Sequence, residues 1–383
     1  MAPLRIGPLD VWPPVVLAPM AGITNAPFRR LCRSFEPGGL FVSEMITARG
    51  LAERNDKTLQ MARFADDEPV RSIQLYGTEP RTIGHAVRLL VGEQRADHLD
   101  LNFGCPVAKV TRKGGGAALP VRQALFRDIV RAAVSAAGGA GGAGGASGVP
   151  VTVKLRLGVD EGLRTFLAAG RIAEDEGAAA VSLHARTAEQ HYSGRADWKA
   201  IAALNGAVTT IPVLGNGDIW EAADALRMID ATGCDGVVVG RGCLGRPWLF
   251  RDLALAFAGL EVPGPPPLGE VREVLRRHAR LLNEWLTEPV AVRDVRKHVG
   301  WYLQGYPVGG DARRRLTAAT TIADLEAELD RLDTDLPPLP GTASQPRGKS
   351  SGPIKVTLPD GWLAGADDPS PVVADPPEAV SGG

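Results

Sequence analysis

The sequence predicts a closed (β/α)8 barrel, followed by a small all-helical domain and a disordered C-terminal tail. Short aliphatic or β-branched runs alternate eight times with longer segments of helical spacing, which is typical of a (β/α)8 TIM barrel. We therefore assign 1–260 to the barrel. Helical patterns continue over 268–332, and from 337 to 383 the chain is rich in Pro, Gly and Ser with few core residues.

The elements of the barrel follow in order along the chain. The predicted strands are Val15–Ala18, Leu40–Val42, Val70–Leu75, His98–Asn102, Val151–Leu155, Ala179–Leu183, Ile211–Leu214 and Gly236–Val239. The predicted helices are Ala26–Ser34, Pro80–Val91, Val121–Ala136, Leu163–Glu176, Asp197–Leu204 and Ile219–Ile229. The second strand-to-helix unit has the weakest pattern. An open doubly wound sheet is the alternative, but no Gly-x-Gly-x-x-Gly turn follows the first strand.

Composition indicates a globular protein. The chain has 383 residues, 44% of them hydrophobic, and its apolar runs are shorter than the roughly 18 residues of a membrane helix. No signal segment is evident at the N-terminus, so we expect a cytoplasmic protein. The net charge of -1 predicts no overall attraction to nucleic acid. The four cysteines are scattered without Cys-x-x-Cys spacing, which argues against a zinc or iron–sulfur site: Cys32, Cys105, Cys234 and Cys243.

Two segments fall outside this organisation. The low-complexity stretch 138–148 is expected to be a solvated insertion before the fifth strand. The tail from 337 to 383 is expected to be disordered, and neither segment is expected to carry chemistry.

The helical domain carries a local excess of positive charge. Between Val271 and Arg315 there are ten Arg or Lys and five Asp or Glu residues, with Trp and Tyr interleaved. This pattern fits an electrostatic surface for phosphate backbones. It fits equally a solvated bundle whose arginines pair with neighbouring acids and whose tryptophans fill its core.

Polar residues close nearly every predicted strand, and the active site of such a barrel lies at these strand ends. The turns around Gly217 and Gly240 have the composition of a phosphate cradle, because glycine lets backbone N–H groups approach an anion closely. Lys154 lies in an apolar strand and is expected to point into the barrel, where it would need an anionic partner. His184 and Gln74 also close strands, although either could be an ordinary core residue.

Cys105 follows the fourth strand in a Gly-Cys-Pro turn, with Asn102 and several cations nearby. A small buried hydrophobe is the usual role of a free cysteine. This setting instead indicates an accessible thiol in a positive environment, and the sequence leaves its protonation state open.

These segments together resemble the tRNA-dihydrouridine synthases, most closely the bacterial B-type members. The resemblance extends in order from about Val15 to Pro307 and is carried by Leu17–Asn25, Asp100–Pro106, His184–Thr187, Asn216–Asp218, Gly240–Arg241 and Val295–Leu303. It implies a barrel that binds FMN and reduces the C5=C6 bond of a uridine in tRNA, with NADPH as electron donor. Neither the stretch 138–148 nor the tail belongs to the family pattern.

The resemblance also implies roles for individual residues. Cys105 would protonate C5 of the uracil, and Asn102 would position the base. Arg186, Arg296 and Lys297 are further candidates for contact with the RNA. The expected FMN-binding residues are Pro19, Met20 and Ala21 at the flavin ring, Gln74, Lys154 and His184 at its polar edge or ribityl chain, and Asn216, Gly217, Asp218, Gly240 and Arg241 at its phosphate.

Two other functions fit parts of the pattern. One is an FMN-dependent barrel oxidoreductase acting on a small molecule such as a dihydroorotate-like substrate, which would have no need for the basic helical domain. The other is a non-catalytic RNA-binding protein that has kept the fold. Cys105 itself also has a second candidate, since Cys243 lies close to the predicted phosphate turn.

Overall fold

A computed structural model describes residues 2–93, 95–138, 148–348, 352–365 and 367–370. Most of the predicted glycine-rich insertion, 139–147, therefore lies outside the described residues, as does the end of the predicted tail, 371–383.

Eight parallel strands close a barrel in chain order, with the last strand pairing with the first. The barrel strands are β3 (Val15–Leu17), β4 (Leu40–Thr47), β5 (Ser72–Tyr76), β6 (His98–Phe103), β7 (Val151–Arg156), β8 (Ala180–His184), β9 (Val213–Asn216) and β10 (Gly236–Val239). All eight predicted strands are present, and the open-sheet alternative is wrong because β10 pairs with β3.

A short antiparallel hairpin precedes the barrel and was not predicted. It consists of β1 (Leu4–Ile6) and β2 (Leu9–Val11). Leu4 and Ile6 are buried in a cluster with inward-facing aliphatic residues of the barrel strands, such as Val42. The hairpin thus closes the end of the barrel opposite the polar strand ends, and strands of three residues are too short to show a periodic pattern.

Helices surround the barrel and pack on its outer face. They are α1 (Ala26–Arg33), α2 (Ala48–Ala52), α3 (Asp56–Met61), α4 (Pro80–Gly92), α5 (Ala108–Thr111), α6 (Gln123–Ala136), α7 (Phe166–Asp175), α8 (Trp198–Ala207), α9 (Ala222–Thr232) and α10 (Leu249–Phe257). The second strand-to-helix unit has a weak sequence pattern because only the short helices α2 and α3 connect β4 to β5.

The chain after the barrel forms a helical bundle with its own core. Its helices are α11 (Leu268–Trp285), α12 (Glu288–Tyr302), α13 (Gly309–Ala318) and α14 (Ile322–Asp330). The imidazoles of His278 and His298 are buried and lie 5.6 and 5.7 Å from the ring of Phe28 in α1, which joins the bundle to the barrel. The closed barrel and the helical C-terminal part confirm the predicted fold class. None of the helices in the described part of the chain is long and apolar enough to span a membrane.

The described part of the C-terminal segment makes contacts that its composition did not predict. Arg347 is buried and donates hydrogen bonds to the carbonyl oxygens of Trp301 and Leu244. Further on, Trp362 is buried against the barrel. A Pro- and Gly-rich segment can be held in this way by a few large side chains, which composition alone does not reveal.

Candidate active site

The polar residues predicted at the strand ends gather at one rim of the barrel, because all eight strands are parallel. Strand register places several candidates side by side. Asn102 lies opposite Lys154, and His184 lies opposite Asn216. Gln74 lies opposite Asp100, which the sequence analysis had not singled out.

A chain of hydrogen bonds runs through the barrel interior to this rim. The Gln74 amide nitrogen donates to Asp100 Oδ2 at 2.7 Å, and the Asn102 amide nitrogen donates to Gln74 Oε1 at 2.8 Å. Thr152 donates to the other oxygen of Asp100 at 2.7 Å. Burial raises the pKa of Asp100 to about 6, although these hydrogen bonds and Lys154 act in the opposite direction. Because a carboxylate only accepts, Asp100 fixes the orientation of the Gln74 amide and, through it, that of Asn102.

Asn102 in turn holds the backbone that carries Cys105. Its Oδ1 accepts hydrogen bonds from the backbone N–H groups of Gly104 at 3.1 Å and Cys105 at 2.9 Å. Arg156 Nε donates to the Gly104 carbonyl oxygen at 2.8 Å, so the turn is held from both sides.

Cys105 as a residue is partly exposed, whereas the other three cysteines are buried. Burial raises its pKa above the usual value, and this outweighs the lowering effects of the Val107 N–H and of Arg156. Burial therefore favours the protonated thiol over the thiolate. Cys243, the second candidate, is fully buried.

Four cations gather at the rim: Lys154, Arg156, Arg186 and Arg241. Arg156 also interacts electrostatically with Cys105. Burial lowers the pKa of Lys154 to about 8 and that of Arg156 to about 10. His184 lies among them, and its pKa falls well below the usual value through burial and the neighbouring positive charges. The imidazole is therefore neutral, and the cluster as a whole suits an anionic ligand.

Arg186 is 2% exposed and supports the turn after β9. It donates to Asp218 Oδ1 at 2.6 Å, and Asp218 Oδ2 accepts from the Ala196 N–H at 2.7 Å. Asp218 has a φ of 57°, and Gly217 before it has a φ of 128°, a region in which other side chains are strained. Among the described residues, Arg186 Nη1 is buried without a hydrogen-bond partner. That orphaned donor fits an anionic group at this turn.

The remaining predicted cofactor residues line the same rim. Asn216 Oδ1 accepts from Lys154 Nζ at 3.2 Å, and its amide nitrogen donates to the Val238 carbonyl oxygen at 2.6 Å. The Arg241 guanidinium lies 4.3 Å from the ring of Tyr192. A Cβ at position 240 would lie 3.9 Å from Met20 Sδ, so Gly240 adjoins the Pro19–Ala21 segment.

Lys297 is exposed, and its side chain reaches from the bundle to the barrel. Its Nζ donates to the carbonyl oxygen of Gly22, directly after the Pro19–Ala21 segment, and pairs with Asp294 at 3.0 Å. The Gly22 N–H donates to Glu44 Oε2 at 2.8 Å, and burial raises the pKa of this carboxyl. Glu44 lies within β4, and the sequence pattern predicted no role for it. Arg296 is exposed as well.

Most of the basic side chains counted in the helical bundle are paired with acids. Arg276 pairs with Glu273 at 2.6 Å and also with Asp330, and Arg280 pairs with Glu326 at 2.6 Å. Over 268–332 the chain has eleven Arg or Lys and ten Asp or Glu residues, because α14 supplies acids that the shorter interval had left out. The bundle therefore presents fewer unpaired positive charges than its sequence predicted. Its exposed cations without an observed acidic partner are Arg277, Arg293 and Arg296.

The chain is similar to known proteins over most of its length. The model of the family Dihydrouridine synthase (Dus) matches residues 16–336. The probable tRNA-dihydrouridine synthase of Mycobacterium tuberculosis (strain ATCC 25618 / H37Rv) is 55% identical over 371 residues, covering 95% of this chain and 93% of the relative. The tRNA-dihydrouridine synthase B of Xanthomonas axonopodis pv. citri (strain 306) is 38% identical over 328 residues, covering 86% and 95%.

Solved structures share the fold at low sequence identity. Histamine dehydrogenase from Rhizobium sp. 4-9 is 12% identical with a TM-score of 0.50, and the match covers 87% of this chain and 64% of that chain. A 2-naphthoyl-CoA reductase complex is 11% identical with a TM-score of 0.50, covering 86% of this chain and 69% of that chain.

Proposed function

Because this chain belongs to the dihydrouridine synthase family, we propose that it reduces the C5=C6 bond of a uridine in tRNA to 5,6-dihydrouridine, using FMN and NADPH. The observation that carries the proposal is the position of Cys105, a partly exposed residue whose turn is held at the rim by Asn102 and Arg156 and whose thiol has a raised pKa. With a tRNA substrate, we expect the protein to act in the cytoplasm.

The residues at the rim fit FMN. Arg186 Nη1 is the unpartnered donor, and with Arg241 and the turn Asn216–Asp218 it would hold the phosphate. Lys154 would lie at the polar edge of the ring, where its ammonium would stabilise added negative charge. Pro19–Ala21 would line the ring, with Gln74 and neutral His184 supplying hydrogen bonds. When bound and reduced, FMN supplies a hydride to C6 of the uracil.

Cys105 completes the reduction as a general acid. Hydride addition at C6 leaves negative charge at C5 and O4, and the thiol proton passes to C5. The resulting thiolate would be stabilised by Arg156 and the Val107 N–H and would regain its proton from solvent. Asn102 holds the turn through Gly104 and Cys105, so its side chain sets where the thiol stands.

Substrate RNA would be held by the helical bundle. A uridine inside a folded tRNA must leave its stack to reach a barrel interior, so the enzyme has to grip the backbone meanwhile. The exposed Arg277, Arg293 and Arg296 are suited to that contact. The alternative, a barrel oxidoreductase for a small molecule, does not account for a family match that extends through the bundle to residue 336.

The proposal is tested in tRNA from a strain that lacks the gene. Mass spectrometry should show a uridine that gains two mass units only when the wild-type gene is restored. Cys105→Ala should restore no dihydrouridine while its flavin is still reduced by NADPH. Cys234→Ala, which alters a buried thiol away from the rim, is the matched control and should restore the product. Full product from Cys105→Ala would remove Cys105 as the acid, and a wild-type gene that restores nothing would refute the function.

A further inference from the structure

The C-terminal segment of the chain lies across loops of the candidate active site. We name residues 352–365 the strap. The Ile354 N–H donates to the Glu189 carbonyl oxygen, in the loop after β8, at 2.8 Å. Trp362 Nε1 donates to the Ala118 carbonyl oxygen, in the loop after β6, at 2.8 Å. The strap lies beyond the residues 16–336 matched by the family model, so it is an addition to the part that the family model describes.

Trp362 is the anchor of the strap and is 2% exposed. The Arg122 guanidinium lies 4.4 Å from its ring, and Arg122 Nε donates to its carbonyl oxygen at 3.2 Å. Arg122 also pairs with Asp368, just beyond the strap. A stacked cation, three hydrogen-bonded or ionic contacts and a buried indole together form a specific seat for this side chain.

The other wall of that seat is a loop that we name the glycine loop, residues 114–118. Gly114 has a φ of 73°, and a Cβ at this position would lie 2.5 Å from the Trp362 ring. Only glycine fits, because the indole occupies the space that a side chain would need. The sequence therefore has its glycine where Trp362 packs.

The glycine loop also contacts Cys105. The Ala117 N–H donates to the Cys105 carbonyl oxygen at 3.0 Å. A Cβ at position 116 would lie 2.4 Å from that same oxygen and 3.0 Å from Cys105 Cβ, so the backbone of Gly116 touches the cysteine directly. The five residues of the loop are thus held between Trp362 and Cys105.

We propose that Trp362 is a positioning residue, which holds the glycine loop against Cys105 and so sets the position of the thiol at the rim. The importance of this position for catalysis rests on the proposed function, whereas the contacts themselves do not. Loss of the indole would leave a void beside Gly114, free the loop, and let the cysteine turn sample other conformations.

The experiment measures the alkylation rate of each cysteine by iodoacetamide in the purified full-length protein, with peptide mass spectrometry as readout. Trp362→Ala should raise the rate at Cys105 about tenfold. The buried Cys32, Cys234 and Cys243 are internal standards and should stay unreactive. Leu363→Ala is the matched control, because this neighbour in the strap is 60% exposed; its Cys105 rate should equal that of the wild type.

Two results would overturn the proposal. One is an unchanged Cys105 rate in Trp362→Ala, and the other is a parallel increase at the three buried thiols, which would show general loosening. Trp362→Phe keeps a ring beside Gly114 but loses the bond to Ala118, so a smaller increase of at least twofold is expected. If Trp362→Ala does not fold, an unchanged rate in Trp362→Phe overturns the proposal.

A second readout links the contact between Trp362 and the glycine loop to catalysis. Trp362→Ala should lower kcat for dihydrouridine formation at least tenfold while the rate of flavin reduction by NADPH is unchanged. A kcat equal to that of the wild type would refute the positioning role. If the wild-type protein forms no dihydrouridine, the proposed function fails, and the alkylation rates still decide whether Trp362 holds the loop.

Discussion

Lys154 provides the sharpest test of how the rim would bind its cofactor. Its ammonium is buried in the barrel, and burial lowers the pKa to about 8, with Asp100 raising it and Arg156 lowering it further. Its observed hydrogen bond is to Asn216 Oδ1 at 3.2 Å, so two of its three donors remain for a ligand. The proposal requires the charged form of this lysine to bind FMN.

The size of the effect follows from that pKa. A lysine with a lowered pKa is protonated below it and neutral above it. If only the protonated enzyme binds, the apparent Kd rises by the factor 1 + 10^(pH − pKa), which makes FMN binding about tenfold weaker at pH 9 than at pH 7. Arg156 titrates at about 10, and the FMN phosphate, whose second pKa is about 6, is about nine-tenths ionised at pH 7, so both change little over this interval.

The assay is a fluorescence titration of the apoprotein with FMN at intervals from pH 7 to pH 9. Lys154→Met should bind FMN more weakly at pH 7 and show no dependence on pH in this interval. The reasoning fails if the wild-type Kd changes less than twofold between pH 7 and pH 9. It fails equally if Lys154→Met retains the same tenfold fall in affinity.

Three further predictions concern stability, the buried relay and RNA. Arg29→Met should cost about 3 kcal/mol of unfolding free energy in urea, because the buried Glu68 loses its two hydrogen bonds from Arg29 and keeps only the ion pair with Arg33 at 3.1 Å. Arg30→Met breaks a surface pair worth about 0–1 kcal/mol. The pKa of Asp100 is raised to about 6, so its ionisation destabilises the fold as pH rises. The unfolding free energy of Asp100→Asn relative to that of the wild type should therefore increase by about 2 kcal/mol from pH 4 to pH 7. Replacing both exposed Arg293 and Arg296 by Ala should weaken tRNA binding. It should also reduce the slope of log K against log salt concentration by about one to two, the number of counterions that the two arginines release on binding.

Each of these has a result that would contradict it. Equal losses of unfolding free energy for Arg29→Met and Arg30→Met would show that burial of an ion pair does not determine how much its removal destabilises the protein. A constant difference between Asp100→Asn and the wild type from pH 4 to pH 7 would mean that Asp100 does not titrate in this range. For RNA, Arg280→Ala is the control, since this side chain pairs with Glu326; the same reduction in salt dependence there would argue against a localised RNA surface.

Much of the fold could be predicted because it depends on local patterns. Aliphatic runs of three to six residues between helical segments identified all eight barrel strands, and parallel strands necessarily bring their polar ends to one rim. Residues at those ends, such as Lys154 and His184, were therefore found from the sequence. Asp100 also carried a usable signal, since it shares a strand face with Asn102, two positions on.

Other features depend on partners that are distant in the chain. The charge excess of the bundle falls from five to one over 268–332, because α14 adds acids, two of which pair with arginines of α11. The protonation state of Cys105 depended on whether burial or nearby cations prevail, and only the packed structure shows that burial does.

The sequence by itself was enough to predict the barrel, the polar residues at its strand ends and Cys105 as a candidate residue. These predictions depend on the periodicity of short segments and on their order along the chain. The tertiary structure alone decided the contacts of Arg186, whose buried guanidinium binds Asp218 and keeps one donor without a partner. It also decided where the C-terminal segment lies. Trp362 is 248 positions from Gly114 in the chain, and nothing near either residue indicates the other. Their contact arises only when folding closes that distance, and burial of the indole in its seat makes it stable.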